Sequence, residues 1–330
     1  MGIYRLLLAI MVLLSHLGIV ILGHNQGISA VVSFFMISGF SMTALIQRNY
    51  NAPTRIYAFY VDRVMRLFPQ FIFYMLATTV LILLVKPESP FLSGITMGKA
   101  VLNYAMLPLN FYMLGFGDAL LMPQAWSLGL EACFYISIPV LLIFQLELLA
   151  FIISVGIFVL ACFNVINPDF FGYRLLPGTL FMFLIGSFFY KRQNFIRTIL
   201  LAVSYVLSIG FFLSLTYHAG SKISPAVHDV LVGIIVGLPI VAWLTKMKLG
   251  KIDFMLGNLS YGVFLNHFFL IWSFRAFGIE PHGFLRVSAL IALSIALALI
   301  TFWFIERPVI QYRRRIRYQP NATATPVGTS

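Results

Sequence analysis

Tyr4-Arg5-Leu6-Leu7-Leu8-Ala9-Ile10-Met11-Val12-Leu13-Leu14-Ser15-His16-Leu17-Gly18-Ile19-Val20-Ile21-Leu22-Gly23 is an apolar run in which only Arg5 and His16 carry basic side chains. A helix of about 20 such residues crosses a hydrocarbon core of roughly 30 Å, so the run predicts a transmembrane span. Arg5 alone precedes the apolar stretch and no small-residue cleavage site follows it, so the segment reads as a retained helix rather than a signal peptide. The same window predicts further spans over 28–47, 57–85, 126–146, 148–166, 174–190, 198–217, 230–245, 254–274 and 286–305. Between them, 87–125 is rich in proline and glycine and reads as an outer loop able to dip into the membrane. The expected fold is therefore all-α: a polytopic transmembrane helix bundle of about ten spans. It forms one domain over 1–318, and 319–330 is a Pro/Thr/Ala-rich cytoplasmic tail.

Composition agrees. The chain has 330 residues, 61% hydrophobic and 10% charged, with a formal net charge of +12. Roughly 25% charged residues is usual for a soluble domain, so lipid is the implied solvent. The basic excess would suggest nucleic acid in a soluble protein. Here the cations sit in short clusters between apolar runs, which is an orientation signal instead, and no nucleic acid is expected. With the N-terminus inside, the cytoplasmic side collects Arg5, Arg48, Arg55, Arg63, Arg66, Lys191, Arg192 and Arg197. It also collects Lys246, Lys248, Lys251, Arg307, Arg313, Arg314, Arg315 and Arg317. The outer side holds Lys86, Lys99, Arg174, Lys222, Arg275 and Arg286. That asymmetry places both termini in the cytoplasm. Cys133 and Cys162 both lie in apolar stretches and read as buried thiols.

Ionisable side chains at membrane depth are costly and usually functional. Arg5 and His16, eleven positions apart, share one helix face about 16 Å apart along the axis, with His16 near the midplane. On spacing alone His16 fits either a packed core histidine or a proton-transfer group. His267, some twelve residues into the ninth span, reaches the same depth, with Tyr261 on the same helix. Arg63 and Arg66 stand at an i,i+3 spacing on one face of the third span. They suit either bidentate phosphate recognition or lipid headgroups. Glu131, near the outer end of the fourth span, is a structural ion-pair partner or a substrate contact. In Ser33–Phe40 the small residues favour close helix packing. His24, His218, His228 and His282 fall at outer loops or helix ends and read as solvated.

In this order the residues resemble the acyltransferase-3 family of bacterial membrane acyltransferases. The likeness rests on Arg5 with ten residues before His16, on Ser33–Phe40 ending in Ser38-Gly39-Phe40, and on Arg63-x-x-Arg66 followed by Leu67 and Pro69. It continues through Trp126-Ser127-Leu128-x-x-Glu131-x-x-Phe134-Tyr135 with Pro139, then Ser260-Tyr261-x-x-x-Leu265-x-His267, then Glu306-Arg307-Pro308. The resemblance implies an enzyme of the bacterial inner membrane with acyl-CoA, usually acetyl-CoA, as donor co-substrate. It also implies O-acylation of a saccharide or lipid-linked saccharide acceptor. Arg5, His16, Arg63 and Arg66 carry over as the expected essential residues. On this reading Arg5, Arg63 and Arg66 hold the donor phosphates, His16 is the base, and His267 or Tyr261 orients it or stabilises the oxyanion. Trp126, Ser127, Glu131 and Ser38 then face the acceptor, no metal is expected, and the partners are acyl-CoA, the acceptor and membrane lipids. The competing class is a transporter or flippase for a saccharide or lipid, which would show repeat symmetry between its halves.

Overall fold

The computed structural model describes residues 1–190, 195–217, 224–248 and 250–318. Lys191, Arg192, His218, Lys222 and the expected tail 319–330 lie outside the described residues. Among the described residues twelve α-helices run in chain order: α1 Gly2–His16, α2 Gln26–Asn49, α3 Ile56–Val85, α4 Met97–Tyr104, α5 Trp126–Ile143 and α6 Glu147–Cys162. They continue with α7 Leu176–Tyr190, α8 Phe195–Tyr217, α9 Pro225–Leu244, α10 Lys251–Ala276, α11 Phe284–Thr301 and α12 Arg307–Tyr318. Among the described residues there is no strand, only an isolated bridge between Ile21 and His24.

Among the described residues eight helical stretches are long and apolar enough to cross a membrane, and α1 and α6 are shorter apolar helices. Each of the ten expected spans falls on one of these. Their outer faces keep large apolar side chains exposed, such as Leu83, Leu84 and Val206, as expected where lipid is the solvent. Where α2 crosses α7, backbones touch. A Cβ on Gly39 would lie 1.8 Å from the Phe183 carbonyl oxygen, and one on Gly186 would lie 1.8 Å from that of Met36. Small residues admit this approach, and in lipid close packing rather than burial from water holds helices together.

Helix α1 departs from expectation. It ends at His16 instead of Gly23, because Gly18, Leu22 and Gly23 adopt positive φ and turn the chain back toward α2. Its start is tied to α10: Asp253 Oδ1 accepts from the backbone N–H groups of Gly2 at 2.8 Å and Ile3 at 3.1 Å. These are donors that a helix start leaves unpaired. Gly2 makes this crossing possible, since a Cβ there would sit 1.6 Å from the Asp253 carbonyl oxygen.

Residues 87–125 are more ordered than a loop. Asn103 Nδ2 donates to the Ala119 carbonyl at 2.8 Å, its Oδ1 accepts from Leu121 N at 2.9 Å, and Leu120 N donates to Phe91 O at 2.8 Å. Lys99 Nζ donates to Asp118 at 2.8 Å and holds that carboxyl below its ordinary range. The segment buries Ala119 to Ala125 and leads directly into α5.

The ion pairs sort to two ends. Lys99–Asp118, Arg174–Asp169 and His24–Asp229 belong to the connections expected outside. Asp62 with its arginines and Arg197–Glu147 belong to those expected inside.

Candidate active site

The second and third turns of helix α3 carry Asp62-Arg63-Val64-Met65-Arg66, whose spacing turns Arg63 and Arg66 toward the bundle while Val64 stays exposed. Helix α1 adds Arg5, α5 adds Glu131 and α10 adds Tyr261. Through the π-helical turn Phe302–Glu306, α11 runs on into α12, which adds Arg313, Arg314 and Arg317. Together these line a cavity of about 670 Å³, within the usual range for a small-molecule site. A second cavity of about 140 Å³ is lined by Ser15, His16, Asn25, Gln124, Trp126 and Arg174 among others. Val31, Ser127 and Phe264 line both, so the two are neighbours across a thin wall.

The arginine cavity holds a paired charge network. Asp62 is fully buried and accepts from Arg63, from Arg313 Nε at 2.9 Å and from Arg317 Nη2 at 3.2 Å. Arg66 pairs with Glu306 and lies 5.2 Å from the Tyr261 ring centre. Arg63 and Arg66 do share one cavity, but each already has a carboxylate. Unpaired charges at this depth would be expensive, and the carboxylates offset them. Among the described residues, neither Arg5 nor Arg314 has a bridging carboxylate, and Arg5 Nε is buried without a hydrogen-bond partner.

Glu131 belongs to this cavity and not to the outer surface. Its Oε1 accepts from Ser38 Oγ at 2.6 Å and from Tyr135 OH at 2.6 Å, and Arg63 lies 5.8 Å from the Tyr135 ring centre. Ser38 lines neither cavity and reaches the site only through Glu131. Ser33, in the same segment, accepts from Tyr4 OH at 3.0 Å.

On the other side of the wall, His16 and His267 stack with ring centroids 5.2 Å apart and planes at 18°. The Asp253 cap sets this register. Gly2 and His16 are separated by the same fourteen positions as Asp253 and His267, so two helices that start together bring both rings to one level. His16 ends its helix and is exposed, whereas His267 is fully buried, with no hydrogen-bond partner on either ring nitrogen among the described residues. Phe268 closes the pair edge-on at 4.8 Å from His16. The expected depth match is met, but His16 sits at a helix end, not midway along a span.

Tyr261 is placed differently from the expectation. It lies about 9 Å before His267 along α10, on the arginine cavity, and its hydroxyl donates to Leu67 O at 2.8 Å. It therefore supports Arg66 and does not face His16. Trp126 and Ser127 do line the His16 cavity. Trp126 packs against Tyr173, and Arg174 lies 5.2 Å from the Trp126 ring centre.

The residues missed by sequence reading are Asp62, the α12 arginines and Phe264. Asp62 adjoined the arginine pair, and Arg313 and Arg317 stand one helical turn apart, but their meeting spans some 250 positions of chain.

Residues 3–303 match the acyltransferase domain that defines the acyltransferase-3 family. The chain belongs to that family. The enzyme is thus a membrane acyltransferase, and the transporter reading falls away. An uncharacterized protein of Aquifex aeolicus (strain VF5) is 35% identical over 205 residues, covering 59% of this acyltransferase and 89% of its own length. No solved structure matches.

Proposed function

We propose that this acyltransferase moves an acyl group, acetyl in the first instance, from cytoplasmic acyl-CoA to a hydroxyl of an extracytoplasmic or lipid-linked saccharide, in a bacterial inner membrane. The observation that carries this reading is the thin wall between an arginine-lined cavity and the His16 cavity. The cation asymmetry along the chain puts the Arg5 end in the cytoplasm, where acyl-CoA is found. Guanidinium groups there suit the phosphates of a nucleotide-tailed donor. The roughly 16 Å rise from Arg5 to His16 suits an extended pantetheine arm.

In the transfer step the acceptor oxygen attacks the thioester carbonyl while its proton passes to the His16 imidazole. The carbon–sulfur bond breaks, and the thiolate of CoA takes the proton back from His16, leaving an ester and free CoA. His267, stacked behind His16, holds the ring in place. Trp126, Asn25 and Gln124 offer an aromatic face and amides of the kind that bind a sugar.

The test uses purified enzyme in detergent with acetyl-CoA and a lipid-linked saccharide extract. Acetyl-ester formation that depends on both supports the proposal. Thioester turnover with no acetylated saccharide would remove the acceptor, and no turnover at all would remove the donor. Mass spectrometry of surface polysaccharide from a deletion strain, searched for lost acetyl groups, then identifies the acceptor.

A further inference from the structure

Helix α12 lies beyond residues 3–303 matched by the family, yet Ile310, Arg313, Arg314 and Arg317 line the larger cavity. Their offsets of three and four place them on one helix face. The helix is held firmly. Arg313 and Arg317 donate to Asp62 on α3, and Arg55 Nη2 donates to the carbonyl oxygens of Ile316 at 3.2 Å and Arg317 at 3.1 Å. Those carbonyls belong to the end of a helix, where intrahelical donors run out.

The anchoring occupies Arg313 and Arg317 and leaves Arg314 between them, facing the same cavity, with no bridging carboxylate among the described residues. On α1, Arg5 lines the same cavity in the same condition, and its buried Nε has no hydrogen-bond partner among the described residues. Arg66 has both Arg313 of α12 and Arg5 of α1 as charged neighbours. Six arginines line the cavity against the three carboxylates of Asp62, Glu131 and Glu306, an excess of three positive charges. Two such cations, supplied by different helices, match a ligand with two separated anionic groups.

We infer that α12 is a phosphate-binding arm added to the acyltransferase domain, in which Arg314 takes the 3′-phosphate of CoA while Arg5 faces the diphosphate. The inference rests on the acyl-CoA donor proposed above. Arg5 shares a helix with His16, so it meets the part of the donor that leads to the thioester. The arm meets the distal phosphomonoester, which carries about −1.5 to −2 at neutral pH.

Titration of the full-length enzyme in zwitterionic nanodiscs with CoA, 3′-dephospho-CoA and pantetheine tests this. Arg314→Gln is the variant of choice, because Arg313 and Arg317 brace the fold and Arg314 does not. Wild type is expected to bind CoA about tenfold or more tighter than 3′-dephospho-CoA, the scale of one lost charge-assisted contact. Arg314→Gln should bring CoA down to the level of 3′-dephospho-CoA and leave the latter unchanged, at an unaltered melting temperature. Equal binding of the two ligands by wild type overturns the arm and leaves the donor reading intact, as does equal weakening of both in the variant. Failure of wild type to bind CoA at all sinks the donor reading itself. If the variant keeps the preference for CoA and loses only binding to phosphatidylglycerol vesicles, the arm is a lipid-headgroup contact and the inference is wrong.

Discussion

His16 and His267 stack at 5.2 Å with ring planes 18° apart, and a carboxylate on one helix capping the start of the other fixes that register. His16 is exposed and ends its helix, so replacing it removes chemistry without opening a hole. His16→Ala should cut acyl transfer by about 10²–10⁴-fold, the usual worth of a positioned base, at wild-type membrane levels. Retention of more than a tenth of turnover would take His16 out of the reaction.

His267 is fully buried and calls for a different variant. His267→Phe keeps the stack and most of the volume, and should insert normally with turnover reduced. His267→Ala empties buried space and should cost on the order of 2–5 kcal/mol of stability, read as a lower melting temperature. Equal thermal stability of the two variants would contradict the packing role.

Arg5 and Arg63 separate binding from folding. Arg5 has no carboxylate partner among the described residues, so Arg5→Ala should weaken CoA binding and leave thermal stability near wild type. Arg63 is one of the cations around Asp62, so Arg63→Ala should lower both. The decisive variant is Asp62→Asn, which strands three guanidinium groups and should cost about 3–5 kcal/mol. A melting temperature for Asp62→Asn equal to wild type would show that the cluster does not brace α12.

Phe264 stands in the wall shared by the two cavities and packs edge-on to His267 at 5.9 Å. Phe264→Ala joins the cavities and admits water to the thioester path. The expected outcome is faster acetyl-CoA hydrolysis without acceptor, read as thiol release. Hydrolysis unchanged from wild type would mean that the wall lies elsewhere.

Glycines give a stability contrast. Gly39→Ala and Gly186→Ala each drive a methyl group into a facing carbonyl and should cost about 1–3 kcal/mol or prevent assembly. Gly210→Ala on α8 meets nothing within 4 Å and should be neutral or stabilising by about 0.5–1 kcal/mol. Expression and melting temperature of the three variants decide it.

The sequence alone determined that this is a bundle of apolar helices, because 20-residue apolar runs have one stable form in lipid, and it placed the ten segments closely. It also singled out Arg5, His16, Arg63, Arg66 and His267 as candidates, since ionisable groups in such runs stand out one by one. It did not predict that α1 stops at His16, because the positive-φ turn at Gly18 to Gly23 looks as apolar as the helix before it. Nor did it predict which charges were already spent. Asp62 meets Arg313 and Arg317 only when the last helix folds back on the third, and Tyr261 meets Arg66 only across two helices. The two cavities and their shared wall at Phe264 are likewise products of helix packing. Depth along a helix is read from residue number, whereas partnership between helices depends on rotation and crossing, which residue number does not encode.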